Sequence, residues 1–349
     1  MDVRAVLEEL SLLPGVSGYE EPVAEAIRRR FEELKMEVRQ DRFGNLIALR
    51  RGEGAEPRPK VMLAAHMDEI GLMVTGFADG GFLRFRPVGA VDPRVLPAQE
   101  VVVHGRRDLM GIIGAKPPHV QEAGEREKAY QLDQLYIDVG LTEEEARAAV
   151  RVGDVVTIHR PFVRLQGEYV AGKAFDDRAG VVAMLVCLEE LGLRRHEADV
   201  LAVTTAQEEP GIRGSLPATF GVLPDVGIAI DVTFADESES GPRADLGKGP
   251  AIAIGPHVHP GLLDRFLEVA QDLRVPYQLD PAPSPGGTDA FNIQIARAGV
   301  PTILVSIPQR NMHTSVELLT CEDIRLTGRL LAGFIQSVDR GFTEGLLCF

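Results

Sequence analysis

The sequence predicts an α/β fold: a mixed sheet covered by helices, interrupted by a small β-rich, barrel-like insertion. Three observations predict it. The stretch KVMLAAHMD is a continuous apolar run, the pattern of a strand buried on both faces. Helical and strand periodicities alternate from Gly172 onward, which argues for a parallel or mixed sheet with helical layers. Between them, after Gly71, the texture changes to short β-like runs separated by glycines. The expected organisation is a domain split in sequence, residues 1–69 plus 165–349, with a β-rich domain at 70–164 inserted into it.

Along the chain, Asp2 is placed to cap a first helix to about Leu13, and a second fits Glu20 to Leu34 with Val23, Ile27, Phe31 and Leu34 on one face. MEVRQ and LIALR flank DRFGN, a hairpin signal, and RGEGAEPRP is a polar linker. The insertion contributes FLRFRPVG, EVVVHG, LMGIIGA, LYIDVG and DVVTIH, interrupted by one short helix, TEEEARAAV. PPHVQEAGEREKAYQLDQ reads as a mobile loop. In the resumed α/β region, helices fit Asp177 to Leu191 and residues near 261–273, 288–297 and 321–338. Strands fit Asp199 to Ala206 and residues near 226–231, 250–254, 276–279 and 302–307.

Composition narrows the class. The 349 residues are 45% hydrophobic and 26% charged, which is globular. A net charge of −15 argues against nucleic acid or an anionic membrane as a partner. No apolar run approaches the roughly 18 residues of a membrane span. MDVRAVLEELSLL reads as an amphipathic helix with acidic residues and not as a signal peptide. Cys187, Cys321 and Cys348 are scattered and lack CxxC spacing, which suits a reducing cytoplasm and excludes a thiolate zinc site.

Ligands of open α/β sheets bind beyond the carboxyl ends of strands. What stands at those ends is His66 and Asp68 after VMLAA, Glu208 and Glu209 after VLAVTTAQ, Asp231 after VGIAI, and His313 shortly after TILVSIP. Asp176 and Asp177 open the helix after GKAF. Taken singly, each has an ordinary explanation. Asp176 and Asp177 would cap a helix, EEPG would be a solvated turn, Asp231 and Asp289 would be turn or cap residues, and GPHVHPG has turn chemistry that makes His257 and His259 structural. Jointly, two histidines and several carboxylates on one rim suit two divalent ions. Zinc takes imidazole nitrogen and carboxylate oxygen, though cobalt and manganese accept the same donors. Two ions about 3.5–4 Å apart require one bridging carboxylate. Alternation along a strand puts His66 and Asp68 on one face, so Asp68 can orient His66. It sends Glu208 and Glu209 to opposite sides, one toward metal and one toward the reacting water.

At these residues the chain resembles a known family. HMDEIGLMV, GKAFDDRAG, AQEEPGIRGS, AIDV, GGTDA and RNMHTSVE are similar to motifs of the tetrahedral, or TET-type, dinuclear metallo-aminopeptidases. That family includes glutamyl aminopeptidases and members labelled cellulase or endoglucanase. The likeness runs in order from about residue 5 to 338 and extends to GIIGAKPPH and LYIDVG in the insertion. It implies a dinuclear-zinc exopeptidase domain in which His66 and Asp231 bind one metal, Glu209 and His313 bind the other, and Asp176 bridges them. It implies that Glu208 is the general base and that Asp68 supports His66. It further implies short peptide substrates and a dimerisation role for the inserted domain at 70–164, with dimers that assemble into a hollow tetrahedral dodecamer.

Other readings differ in testable features. Carboxypeptidases and N-acyl amino acid deacylases of the same clan share the ligand types but carry their extra domain after the EE segment. Here the long interval lies between Asp68 and Asp176, and the one from Asp176 to Glu208 is short. A glycoside hydrolase needs two carboxylates about 5–9.5 Å apart but has no use for paired histidines. Aromatic residues, the usual sugar platforms, are only 5% with no Trp. A non-catalytic scaffold would not need the full ligand set. The preferred N-terminal residue is not readable from these motifs.

Overall fold

The computed structural model describes residues 1–120, 124, 128–235, 244–284 and 286–346. Helix α1 (Val3–Leu12) starts at Asp2, whose side chain accepts the Ala5 N–H at 3.2 Å. Helix α2 (Glu21–Glu33) buries Val23, Ile27 and Phe31. Strands β1 (Glu37–Gln40) and β2 (Leu46–Arg50) form the expected hairpin. Its turn is held by Asp41, whose Oδ1 accepts from Phe43, Gly44 and Asn45. The apolar run becomes β3 (Lys60–His66), buried from Val61 onward.

The chain then enters a closed barrel, β4 (Gly71–Phe77), β5 (Leu83–Val88), β6 (Glu100–His104), β7 (Asp108–Ala115), β8 (Leu135–Asp138) and β9 (Val155–Ile158), in the order β4-β5-β8-β7-β6-β9. Exposed and buried residues alternate along β7, so one face fills the barrel and the other meets solvent. Helix α3 (Glu143–Ala149) closes the barrel core with Ala146. Thr142 and Glu145 form a capping box at its start. The expected loop around 117–133 lies partly outside the described residues.

After β10 (Val163–Arg164) and β11 (Tyr169–Gly172), helix α4 (Phe175–Leu191) crosses the core and is buried on nearly every side. There follow β12 (Asp199–Thr205), α5 (Ser215–Val222), β13 (Val226–Phe234), β14 (Ala251–Ile254), α6 (Pro260–Leu273), β15 (Gln278–Pro281), α7 (Asp289–Gln294), β16 (Thr302–Gln309), β17 (Glu317–Thr320), α8 (Cys321–Gln336) and α9 (Arg340–Glu344). The large sheet runs β1-β2-β12-β3-β13-β16-β14-β15. Its centre, β12-β3-β13-β16, is parallel; β1-β2, β2-β12 and β16-β14 pair antiparallel, and the edge pair β14-β15 is parallel. Helices α1, α4, α6 and α8 pack together, as do α5 and α7. Close approach is bought with small residues: a Cβ on Gly227 of β13 would meet Ile293 of α7 at 2.3 Å.

Several expected elements shift; β13 runs past its expected end at Asp231 to Phe234, and β16 runs to Gln309. The helix expected at 288–297 ends at Gln294, because Arg297 adopts φ +56° and the Val300 N–H returns to the Gln294 carbonyl. The last outer strand lies at Gln278–Pro281, two residues later than the apolar pattern placed it. Cys187 and Cys321 are buried and unpaired, and Cys348 falls outside the described residues. No helix among the described residues is long and apolar enough to cross a membrane.

Candidate metal centre

Parallel register builds the site. Thr205 of β12 pairs with His66 of β3, so the residues just past both strands share one rim. Asp231 sits on β13 opposite Ser306 of β16. Asp176 is delivered from below by the start of α4, where Ala174 takes the left-handed conformation at φ +56° and the Asp176–Asp177 peptide is cis. His313 follows β16 and is itself left-handed, at φ +59°. The left-handed backbone at Ala174 and His313 is strained for residues with a side chain, and such strain gathers at functional sites.

These elements bring the predicted residues together. His66 Nε2 lies 2.9 Å from Asp176 Oδ1, and His313 Nε2 lies 3.2 Å from Asp176 Oδ2 and 3.5 Å from Glu209 Oε2. Two donor groups result, His66–Asp176–Asp231 and Asp176–Glu209–His313, each with its atoms within 4.8 Å of one another. They share Asp176 and use its two oxygens differently. Glu208 stands beside them, its Oε2 3.9 Å from His66 and its Oε1 buried without a partner among the described residues.

Electrostatics explain why such a rim would take cations. Burial, then repulsion from neighbouring carboxylates, pushes Glu208 up to about 9 and Asp231 up to about 8. The same causes raise Glu209 and Asp177. Burial alone would raise Asp176 too, but the hydrogen bonds from His313 and His66 prevail and hold it below the usual carboxylate range. His66 is raised despite its burial, by its bonds to Asp176 and Asp68. Buried like charges at such separations need positive charge between them. The donors, imidazole and carboxylate oxygen, are those that zinc and its neighbours accept.

Supporting contacts differ from the sequence reading in one respect. His66 Nδ1 lies nearest the main-chain carbonyl of Asp68, at 3.1 Å, with the Asp68 carboxylate at 3.5 Å. That carboxylate also accepts from the N–H groups of Glu208 (2.9 Å) and Glu209 (3.2 Å) and from Ser17 Oγ (2.5 Å). Asp68 thus fixes the EE backbone as much as the imidazole. Asp177 Oδ1 accepts the Gly180 N–H. Asp289 opens α7 but does not cap it. It is buried and accepts from Thr205 Oγ1 at 2.5 Å. His259 caps α6 through the Gly261 N–H, a structural role, whereas His257 lines the cavity beside the rim. Glu317 was missed as an individual residue although its motif was quoted. Its carboxylate accepts three backbone N–H groups of the centre, which spacing alone does not reveal.

Fold and rim define the chain as a peptidase of the TET aminopeptidase class. It belongs to the M42 glutamyl aminopeptidase family, whose profile matches residues 44–330. It is 38% identical over 332 residues to the lysyl aminopeptidase of Pyrococcus furiosus, covering 93% of this chain and 94% of that protein. An aminopeptidase from the archaeon Desulfurococcus kamchatkensis superposes with a TM-score of 0.92 at 37% identity, over 99% of this chain and 98% of the other. The TET1 peptidase of Pyrococcus horikoshii, which can assemble into a tetrahedron or a large octahedral shell, gives 0.85 at 32% identity, over 97% and 100%.

Proposed function

We propose that this chain is a two-metal aminopeptidase that removes N-terminal residues from short peptides in the cytoplasm. The observation that carries the reading is the pair of donor groups sharing Asp176, with an unpartnered Glu208 oxygen beside them. His66 and Asp231 would hold one divalent ion, Glu209 and His313 the other, and Asp176 both; zinc suits the set best, with cobalt or manganese as substitutes. Bound, the ions would lower the pKa of water and stabilise negative charge on the scissile carbonyl oxygen.

The protein's own groups do the rest. Glu208 takes the proton of the attacking water and returns one to the leaving amine. Cations held by the neighbouring donors would favour its ionised form, the form that can accept that proton. Asp68 holds the backbone of Glu208 and Glu209 in place and acts by positioning. The free amine of the peptide is drawn to the anionic rim, so cleavage starts from the N-terminus. The closed barrel at 71–158 would form the dimer contact, and dimers would assemble into a dodecameric shell that admits only short chains; the assembly of the TET1 relative supports this.

The test is hydrolysis of aminoacyl-anilides by chelator-stripped protein with and without added zinc or cobalt, together with Glu208→Gln. The expected result is metal-dependent release, with the variant keeping its metal but losing about 10²–10⁴ in rate. A Glu208→Gln protein with near-normal turnover would exclude Glu208 as the base.

A further inference from the structure

The chain leaving β12 carries Glu208 and Glu209, and its successive main-chain N–H groups end on side-chain oxygens. Asn45 Oδ1 takes that of Ala206 at 2.9 Å, and Asp68 takes those of Glu208 and Glu209. Between them, the Gln207 N–H goes to Oε1 of Glu20 at 3.1 Å, an oxygen that also accepts the Gly18 N–H at 2.7 Å. Glu20 stands just before α2, yet its side chain makes no cap hydrogen bond to that helix; it is buried and turned to the loop instead. Burial, helped by the negative charge of Asp68, pushes its carboxyl up to about 7 against the N–H groups it accepts. The segment before it is anchored without this contact. Val16 pairs with Glu69, the Glu69 N–H donates to the Gly15 carbonyl at 2.9 Å, and the Gly15 N–H donates to the Glu69 carboxylate at 3.0 Å.

We infer that Glu20 is a positioning residue for the reaction: by holding the Gln207 peptide it sets the direction in which Glu208 presents its carboxylate to the centre. The inference rests on the aminopeptidase reading above. Gln207 is left-handed, at φ +56°. A residue with a side chain keeps that conformation only where its surroundings determine it. The turn falls between the end of β12 at Thr205 and Glu208, so rotation at Gln207 swings the base relative to the rim. The N–H groups of Ile212 and Arg213 close the loop onto the carbonyls of Glu208 and Gln207, but those bonds lie within the loop and move with it. Glu20 reaches the left-handed residue itself, from a different part of the chain. Without it the Gln207 N–H loses its acceptor, and the turn loses the bond that fixes it.

The experiment compares Glu20→Ala, Glu20→Asp and Glu20→Gln with the wild type, all full length and zinc-reconstituted. It reads anilide kinetics, zinc content and hydrogen exchange of the peptide spanning residues 203–212. Glu20→Ala removes the acceptor, and Glu20→Asp withdraws it by one methylene. Both are expected to lower kcat about 10–100-fold while KM and zinc content hold, as for a misdirected catalytic group. Glu20→Gln keeps an acceptor oxygen at the same reach and is expected to recover most of that loss. Exchange of the peptide should quicken in Glu20→Ala and Glu20→Asp and not in Glu20→Gln. Wild-type kcat in Glu20→Ala or Glu20→Asp overturns the inference, as does a Glu20→Gln as slow as Glu20→Ala, or a loss of kcat that only mirrors lost zinc. If Glu20→Ala does not fold, the contrast between Glu20→Asp and Glu20→Gln decides. If the wild type cleaves no anilide, the aminopeptidase reading fails, and exchange in the chelated protein judges Glu20 separately. Faster exchange in Glu20→Asp then sustains its hold on Gln207, and unchanged exchange overturns it.

Discussion

Glu317 accepts the backbone N–H of Asp176 at 3.3 Å through Oε2, the oxygen that also takes the Phe175 N–H at 2.6 Å. Its Oε1 accepts the N–H of His313 at 3.2 Å. One buried carboxylate thus aligns the donor common to both groups and a donor of the second. The position follows from pairing: Glu317 opens β17 opposite Gly172 of β11, just before the chain reaches Asp176. Glu317→Ala is expected to weaken zinc binding about 10–100-fold, the usual effect of losing a residue that orients metal ligands, and to lower kcat/KM with it. Competition against a chromogenic chelator measures the first, and anilide kinetics the second. Wild-type affinity in a folded variant would show that the backbone holds its geometry unaided.

Metal removal is expected to lower stability, because the emptied rim leaves buried carboxylates facing one another. Binding only to the folded state contributes about 4 kcal/mol when free metal exceeds its Kd a thousandfold. Thermal melting of chelated protein with increasing zinc should therefore show a concentration-dependent rise. The rise should persist in Glu208→Gln and be largely lost in Asp176→Ala, which removes the donor common to both groups. An unchanged melting curve on zinc addition would argue against a resident ion.

The legibility of the site in the sequence has a physical basis. Strands buried on both faces carry unmistakable apolar runs, and whatever polar residue ends such a run must lie on the rim; His66, Glu208 and Asp231 were found this way. Residues that act through the backbone leave no such mark. Glu317 and Ser17 reach the centre only by long-range pairing. Helix α5 was overlooked, since eight residues including Pro217 carry little helical periodicity. His257 was read as part of a turn, and only the folded chain places it in the wall of the cavity beside the rim.

Asp323 gives a pH dependence away from the centre. Burial raises it to about 6, although it accepts the N–H groups of Gly247 and Gly249. A carboxyl whose folded pKa is raised binds more protons folded than unfolded, so its contribution to stability falls as pH climbs from about 4 to 6. The stability of the wild type minus that of Asp323→Asn is therefore expected to decline over this window, by no more than about 3 kcal/mol. Urea denaturation at pH 4.5 and pH 7 measures it, and a difference that is flat or grows with pH would contradict the assignment.

Glu69 holds the junction between the sheet domain and the barrel. Its Oε2 accepts from Lys173 Nζ at 2.7 Å, and its Oε1 from Arg178 at 3.2 Å and from the Gly15 N–H at 3.0 Å. Arg178 is fully buried and also donates to the carbonyls of Leu10 and Leu13 at the end of α1. Glu69 therefore links α1, the segment after β3 and the entry to α4 through two buried cations. A buried ion pair adds little over an apolar replacement, but deleting one partner strands the other. Glu69→Ala strands two, and is expected to cost about 3–5 kcal/mol in urea denaturation. Glu69→Gln, which keeps the acceptor oxygen and loses the charge, should cost less. Equal losses in the two variants would mean that shape, and not charge, secures this junction.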